Sequence, residues 1–253
     1  MTMYEDLSAN YDRFIDWPAR LASELPFIER QLEAAGVRRL LDAACGTGHH
    51  AIALAQRGYT VVGADGSPGM IEEARALATA SELELTFAVA PFSAIRPAVE
   101  GPFDALLCLG NSLPHVLTHS ALEPTLADFA ACLRPGGLLL VQTRNFDKVM
   151  AQKQRWMPPK ADQEDESEWI FFRFYDFVSE ERIRFNMVTL HRPEGAEWGS
   201  RVSSTSLRPW RHSELLPALE KAGFGRIDSR GDMKGNPFEP TSSPNLVLLA
   251  RRA

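Results

Sequence analysis

The sequence predicts an α/β fold in which a mostly parallel sheet carries helices on both faces. Between residues 39 and 145, short apolar runs of strand length alternate with segments of helical periodicity, an alternation typical of βαβ units. The first run ends at Gly46 and Gly48, and glycines at that place allow a strand to turn tightly into a helix. The chain has 253 residues, of which 45% are hydrophobic, so it can bury one sizeable core.

The elements of the predicted sheet follow in order along the chain. Residues 1–39 are expected to be helical, because apolar side chains recur at helical spacing before Gly36, a typical helix end. A later helix is predicted to begin with Ser67 as N-cap and Pro68 as its first residue. The other predicted elements are strands within residues 39–48, 60–65, 83–90, 103–110 and 134–145, and helices within 49–58, 67–81 and 122–133.

The pattern changes after residue 147. A proline-rich, acidic segment at residues 158–168 is expected to be a solvated loop. Three strand-like runs follow and predict an antiparallel flap, inserted at about residues 165–210. The last predicted elements are a helix at 213–224 and strands at 225–234 and 244–252. The whole chain, residues 1–253, is therefore expected to be one domain with a helical N-terminal lid at residues 1–36.

Composition and charge disfavour several classes of function. The formal net charge is −6, whereas proteins that bind nucleic acid or membranes through phosphate contacts are more often basic. Cys45, Cys108 and Cys132 each lie in an apolar segment without metal-ligand spacing, which favours reduced, buried thiols. The N-terminus lacks the features of a signal peptide, and no apolar run approaches the roughly 20 residues of a membrane span. We expect a cytoplasmic protein that binds neither nucleic acid nor a membrane.

The glycine loop predicts a binding site for an adenosine-type ligand. Gly46, Gly48 and Ala51 satisfy a loose dinucleotide pattern, and Asp65 follows near the end of the second strand, where a carboxylate can accept hydrogen bonds from ribose hydroxyls. Asp42 lies just before the loop, where its charge would repel the pyrophosphate of a dinucleotide. The sulfonium and ammonium of S-adenosylmethionine suit a nearby carboxylate. The pattern therefore favours S-adenosylmethionine, with a structural turn or cap as the other explanation of Asp42.

Four segments in order resemble the class I S-adenosylmethionine-dependent methyltransferases. These are the loop from Asp42 to Gly48, then Asp65, then "FDALLCLG" at residues 103–110, then "LRPGGLLL" at residues 133–140. The resemblance implies a Rossmann-like, seven-stranded sheet whose last strand is antiparallel. It also implies S-adenosylmethionine as cofactor and S-adenosylhomocysteine as product.

Three further segments narrow the resemblance to glycine N-methyltransferases and glycine/sarcosine methyltransferases. They are "YDRF" at residues 11–14, "CLGNSLPH" at 108–115 and "TRNFD" at 143–147. The similarity is strongest from Tyr11 to Asp147 and weak in the flap. Because that family often self-associates through its N-terminal segment, the resemblance also implies a homo-oligomer.

The resemblance implies a role for each residue that matches the family. Arg20 would pair with the methionyl carboxylate of the cofactor, as the fork of a guanidinium allows, Asp65 would bind the ribose, and Met70 and Phe92 would pack around the adenine. Ordinary explanations remain open: an exposed helix arginine for Arg20 and plain core for the two apolar side chains. The cofactor-binding candidates are Arg20, Asp42, Ala44, Gly46, Thr47, Gly48, Asp65, Gly66, Met70, Pro91, Phe92, Leu109, Gly110 and His115.

Three residues are implied to act on the methyl acceptor. Asn111 would contact an amino-acid acceptor and Arg144 would bind its carboxylate, since both follow predicted parallel strands, whose carboxyl ends form the ligand edge of such sheets. Tyr11 would line the path of methyl transfer from a segment that folds over the site. A surface arginine remains the other explanation of Arg144, a hydrophobic staple that of Tyr11, and a cap or core histidine that of His115.

The sequence indicates transfer by positioning rather than by covalent catalysis. It contains no nucleophile elbow or Ser/His/Asp signature. His49 and His50 are adjacent and would point about 100° apart on a helix, so no metal site is predicted. We expect N-methylation of a small carboxylate-bearing amine, glycine- or sarcosine-like or larger. An O- or S-methyltransferase of a small anionic metabolite, and a non-catalytic S-adenosylmethionine-binding protein, remain alternatives; a nicotinamide oxidoreductase is a more distant one.

The chain departs from the family near its last helix. Arg208, Trp210 and Arg211 stand where tyrosine-type contacts are expected. The two arginines would form either a second anionic subsite or ordinary surface charges. The flap is rich in aromatic residues, some of which must be core, and one or two of which would face an acceptor larger than glycine.

Overall fold

A computed structural model of the protein describes residues 11–253. The strands are β1 (Arg39–Ala43), β2 (Thr60–Asp65), β3 (Thr86–Val89), β4 (Phe103–Cys108), β5 (Leu133–Arg144), β6 (Lys160–Glu164), β7 (Ser167–Ser179), β8 (Arg182–Arg192), β9 (Gly199–Leu207), β10 (Phe224–Arg230) and β11 (Asn245–Arg252). The α-helices are α1 (Trp17–Ala34), α2 (His49–Ala55), α3 (Pro68–Ala80), α4 (His119–Cys132), α5 (Phe146–Ala151) and α6 (His212–Lys221).

Seven strands form the main sheet, in the spatial order β3-β2-β1-β4-β5-β11-β10. The first five are parallel to one another, and β11 is antiparallel to both of its neighbours. The predicted α/β fold with a mostly parallel sheet is therefore confirmed, as is the antiparallel last strand. The chain builds outward from β1 to β3 and then returns to place β4 on the other side of β1. This reversal opens a crevice at the carboxyl ends of the central strands, the usual place for a ligand in such sheets.

Apolar side chains cover both faces of the main sheet. Leu40 and Leu107 belong to one buried cluster, with α1, α2 and α3. Leu41 and Leu106, one position away, belong to the other, with α4 and α6. Successive strand residues point to opposite faces, so strands that are buried on both sides read as continuous apolar runs.

The N-terminal helix is shorter than predicted. Residues 1–10 lie outside the described part of the chain, Asp12–Phe14 form a 3-10 turn, and α1 begins only at Trp17. The side chain of Asp16 accepts a hydrogen bond from the amide of Ala19, 3.0 Å away, and a proline in the first turn fixes the start.

A separate antiparallel sheet, here called the flap, has the order β6-β7-β8-β9. The expectation of a loop at residues 158–168 was wrong, because Lys160–Glu164 is an edge strand that pairs with β7. The flap therefore begins several residues before the expected residue 165. Its first strand has no apolar alternation, since it is an exposed edge held by backbone hydrogen bonds, and charged side chains are common on such edges.

Two other expectations concern the state of the cysteines and the presence of membrane-spanning helices. Cys45, Cys108 and Cys132 are free and buried. Within residues 11–253, no helix is both long and apolar enough to cross a membrane.

Candidate active site

The turn between β1 and α2 has the backbone that its glycines predict. Gly46 and Gly48 both have positive φ, at 57° and 82°. A Cβ at Gly48 would lie 3.0 Å from the Cβ of Ala74 in α3, whereas a Cβ at Gly46 would meet nothing within 4 Å. Ala44 also has a positive φ, 61°, which is strained for a residue with a side chain. Gly48 therefore permits close helix packing, and Gly46 leaves the backbone open to a ligand.

Asp65, at the end of β2, holds the glycine loop. Its carboxylate accepts a hydrogen bond from the amide of Gly46 at 3.0 Å and another from the amide of Ser67 at 2.9 Å. Burial raises the pKa of Asp65, and these backbone hydrogen bonds oppose that shift. The predicted ribose-binding carboxylate thus lies against the loop as expected from its position in the chain.

Asp42 is a buried carboxylate without a full set of partners. It is 2% exposed, and its Oδ2 has no hydrogen-bond partner among residues 11–253. Burial and the negative charge of Asp65 raise the pKa of Asp42 to about 7, and the charge of Arg20 opposes the shift. A buried carboxylate with an unsatisfied oxygen is costly. The site is therefore suited to a ligand that brings positive charge.

Arg20, from α1, lies at the same edge of the sheet. Its Nε donates to both carboxylate oxygens of Glu24 at 3.2 Å, and Glu24 also bonds Nε2 of the buried His50 at 2.7 Å. A Cβ at Gly110 would lie 3.4 Å from Nη2 of Arg20. The terminal nitrogens of Arg20 therefore lie beside the backbone that follows β4.

The ends of β4 and β5 are joined through Asn111 and Arg144. The amide of Arg144 donates to Oδ1 of Asn111 at 2.9 Å, and the amide of Asn111 donates to the carbonyl of Gln142 at 3.2 Å. The side chain of Gln142 accepts from the amide of Gly110 at 2.9 Å. Gly110 and Asn111 both have positive φ, at 71° and 67°. Because Oδ1 of Asn111 is used, the amide group presents its NH₂ as the donor to a ligand.

A cavity of about 520 Å³ lies between this edge of the sheet and the flap. The guanidinium of Arg144 faces the buried Tyr175 of β7, and its centre lies 5.7 Å from the ring. The lining side chains come from residues 11–16, here called the N-terminal segment, from α1, from the chain at and just after the ends of β4 and β5, and from the flap and the residue Met157 before it. They are Tyr11, Phe14, Ile15, Asp16, Ala19, Arg20, Gly110, Asn111, Arg144, Met157, Lys160, Arg173, Tyr175, Phe185, Met187 and Leu207.

The N-terminal segment is bonded to the glycine loop by Asp12. Its Oδ1 accepts from Thr47 at 2.8 Å and from the indole of Trp17 at 2.7 Å, and its Oδ2 lies 2.8 Å from Nε2 of His49. The hydroxyl of Thr47 is thus used by the protein itself. Tyr11 lines the cavity, and burial raises its pKa.

The N-terminal segment also contacts the flap. Arg13 binds Asp162 at 3.0 Å and Glu164 at 2.5 Å, both on β6. The ring of Phe14 lies 5.7 Å from that of Phe171 on β7. The segment and the flap therefore cover the cavity together.

The other cofactor-binding candidates are not among the residues that line the cavity. Gly66 lies against Pro91, since a Cβ at Gly66 would be 3.4 Å from the Cα of Pro91. Phe92 packs on Phe129 of α4 in an edge-on contact at 5.7 Å. Met70 and Leu109 are buried. His115 ends a 3-10 turn at Leu113–His115, and burial lowers its pKa to about 4.

The two arginines near the last helix do not line the cavity. Arg208 is buried and forms ion pairs with Glu181 at 2.9 Å and Glu214 at 2.7 Å. Arg211 pairs with Glu180 at 3.0 Å. The anionic subsite is not supported, because carboxylates of the chain already neutralise both charges. The other interpretation, an ordinary surface charge, is wrong for Arg208, which is buried.

Three residues of the site were not among the sequence-based candidates, and a fourth, Tyr175, was one of the flap aromatics of which one or two were expected to face the acceptor. Glu24 and Gln142 hold Arg20 and Gly110, and each could have been found from its spacing: Glu24 is one helical turn after Arg20, and Gln142 is a polar residue in an apolar strand. Arg173 and Tyr175 line the cavity from the flap. They alternate with exposed aromatic residues, and only the sheet shows which of its faces is turned toward the cavity.

Comparisons with known proteins match the chain to methyltransferases. The sequence model of the family described as "Methyltransferase domain" matches residues 40–137. A glycine/sarcosine N-methyltransferase of Parasynechococcus marenigrum is 38% identical over 146 residues, which cover 58% of this chain and 52% of that protein. A glycine/sarcosine/dimethylglycine N-methyltransferase of Actinopolyspora halophila is 31% identical over 229 residues, which cover 88% of this chain and 38% of that protein. The chain thus spans about half, or less, of the length of these relatives.

Solved structures share the fold over nearly the whole chain. An S-adenosylmethionine-dependent methyltransferase from Clostridium acetobutylicum has a TM-score of 0.80 at 15% identity, with 99% of each chain covered. An amino pentose methyltransferase from Micromonospora echinaspora, solved with S-adenosylmethionine bound, has a TM-score of 0.71 at 21% identity, with 100% of this chain and 98% of that chain covered. Identities this low establish the fold alone.

Proposed function

We propose that the chain, whose residues 40–137 match the methyltransferase-domain family, transfers a methyl group from S-adenosylmethionine to the amine of a small, carboxylate-bearing acceptor. The observation that carries the acceptor class is the bond between Asn111 and the amide of Arg144. It joins an NH₂ donor and a guanidinium at one end of the cavity. A carboxylate is the group that both can bind.

The donor would bind across the crevice, on the glycine-loop side of the cavity. Asp42 offers an unsatisfied carboxylate oxygen to its positive charge, and Arg20 offers a cation to its methionyl carboxylate. Asp65 lies beside the open backbone of Gly46 and would accept from the ribose hydroxyls. The two carboxylates near the glycine loop and the guanidinium beside Gly110 would thus complement the positive charges and the terminal carboxylate of the donor.

Methyl transfer requires the protein mainly to position the donor and the acceptor. S-adenosylmethionine supplies an electrophilic methyl group: the amine lone pair forms the new N–C bond while the C–S pair stays on sulfur, leaving a neutral thioether and a methylammonium that later loses its proton to water. Arg144 and Asn111 would hold the acceptor by its carboxylate, so that its neutral amine faces Gly110. Orientation of two reactants can be worth about 7–11 kcal/mol.

Exclusion of water is the second contribution we assign to the chain. Asp12 bonds the N-terminal segment to Thr47, and Arg13 bonds it to β6 of the flap. Tyr11 would face the transferred methyl group from this cover, as part of the N-terminal lid. The lid and the flap would have to open for exchange of ligands, as closing segments do in other enzymes.

A panel of acceptors tests the proposal. The protein is incubated with methyl-labelled S-adenosylmethionine and, separately, glycine, sarcosine, aspartate, glutamate, methylamine, glycolate and thioglycolate, and products are identified by mass spectrometry. We expect transfer to at least one of the four amino acids and none to methylamine, which lacks the carboxylate. Transfer only to glycolate or thioglycolate would replace N-methylation by O- or S-methylation. Calorimetric binding of the donor with transfer to none of them would favour a non-catalytic binding protein.

A further inference from the structure

Two arginines face the same cavity, one from each sheet. Arg144 is the last residue of β5 of the main sheet, and Arg173 lies on β7 of the flap. Arg20 and Lys160 also line the cavity, and Asp16 is the one carboxylate among the lining residues within 11–253. The lining is therefore strongly cationic in a protein whose net charge is −6.

Arg173 has no anion to bind within the described part of the chain. Its Nε is buried and unpartnered among residues 11–253, and its Nη2 reaches only the carbonyl of Pro158, at a long 3.4 Å. Its guanidinium lies over the ring of Phe14 at 5.4 Å. Burial and the positive charge of Arg144 lower the pKa of Arg173. A half-buried guanidinium beside a second cation is unfavourable unless a ligand brings negative charge.

The proposed reaction assigns each of its negative charges to a residue other than Arg173. The methionyl carboxylate of the donor is assigned to Arg20, and one acceptor carboxylate is assigned to Arg144 and Asn111. Resting on that proposed function, we infer that the acceptor is an amino acid with two carboxylates, of which Arg173 binds the second.

The geometry of the flap suits such an acceptor. Arg173 and Tyr175 lie two positions apart on one face of β7, which is roughly 7 Å along a strand, and the guanidinium of Arg144 lies 5.7 Å from the Tyr175 ring. The two arginines thus reach the cavity from different elements, Arg144 at the end of β5 and Arg173 within β7. The cavity of about 520 Å³ is also within the range of about 300–1,000 Å³ that is typical of small-molecule sites.

The competing arrangement is that both arginines bind one carboxylate. In that arrangement the site would have no preference for an acceptor with a second negative charge. Comparing the affinity of a dicarboxylic amino acid with that of its neutral amide therefore distinguishes the two arrangements. Aspartate and asparagine have nearly the same shape, as do glutamate and glutamine. The difference in affinity within each pair therefore reports the second carboxylate alone.

Calorimetry on the full chain saturated with S-adenosylhomocysteine measures this difference without requiring turnover. Aspartate, asparagine, glutamate, glutamine and glycine are titrated in turn. We expect at least one acid to bind ten or more times tighter than its amide. Arg173→Gln should bring that ratio close to one, and Arg173→Lys should restore part of it. Arg184→Gln, which removes an exposed arginine from the outer face of β8, is the matched control and should keep the wild-type ratio.

Two results would overturn the inference. One is a ratio within twofold of unity for both pairs in the wild-type protein, which needs no variant to fold. The other is a preference for the acid that Arg173→Gln leaves unchanged. Failure of the proposed function would give a different result. The donor would bind but no amine would be methylated, and the ratio of acid to amide affinity measured by calorimetry would be unaffected. Transfer to glycine with a ratio near one refutes the two-carboxylate acceptor alone.

Discussion

Replacing Asp42 by asparagine is expected to stabilise the ligand-free protein and to weaken binding of the donor. The pKa of Asp42 rises from 3.8 to about 7 in the folded chain, a shift of about three units at about 1.4 kcal/mol each. Keeping this carboxylate ionised without a ligand thus costs up to about 4 kcal/mol. Asparagine has nearly the same shape and no charge, so the variant avoids this cost.

The sign of the effect follows from the two pKa values. Between about pH 4 and pH 7 the unfolded chain has lost the Asp42 proton while the folded chain still holds it, so stability falls as pH rises through this window. Above pH 7 the full cost remains. A donor with positive charge binds the ionised form, so its affinity should fall up to about tenfold per pH unit below pH 7.

Thermal unfolding and calorimetry measure both effects. At pH 7.5 the ligand-free Asp42→Asn variant should melt higher than wild type, by about 2–4 °C for each kcal/mol recovered, with little difference at pH 4. The variant should also bind S-adenosylmethionine more weakly and lose the pH dependence below pH 7. Asp165→Asn, at an exposed turn, is the control. Lower stability of the variant at pH 7.5, or unchanged donor affinity, would refute the reasoning.

Four other substitutions test the site and its cover. Arg144→Ala should raise the acceptor KM by about 10–100-fold, the worth of a charge-assisted contact, with donor affinity preserved; equal losses of both would argue against a carboxylate-binding role. Asp65→Ala should weaken donor binding by calorimetry, and an unchanged Kd would remove it from the ribose site. Gly48→Ala puts a side chain on a left-handed residue 3.0 Å from Ala74 and should lower the free energy of unfolding in urea by about 1–2 kcal/mol. Asp12→Ala should speed proteolysis of the N-terminal segment, and an unchanged cleavage rate would show that its bonds do not hold the cover.

The parallel sheet could be predicted almost completely from local signals. Its strands are buried on both faces and read as apolar runs, and the helix after β2 begins at its predicted residue, Pro68, with Ser67 as N-cap. The loop expected at residues 158–168 shows the limit of such signals. Lys160–Glu164 becomes a strand because β7 supplies hydrogen-bond partners to its backbone. Backbone hydrogen bonds do not require particular side chains, so this strand cannot be predicted from the pattern of apolar residues.

The candidate site divides in the same way. Asp42, Asp65 and Gly46 are close in space because the strands that carry them are neighbours in a parallel sheet, so spacing in the chain predicts their proximity. The sequence by itself therefore determined the sheet, the glycine loop and the strand ends that form the crevice. Only the tertiary structure decided that Arg208 is neutralised by glutamates while Arg173 forms no ion pair with a carboxylate among residues 11–253. The partners of a charged side chain come from distant parts of the chain, and no local pattern records them.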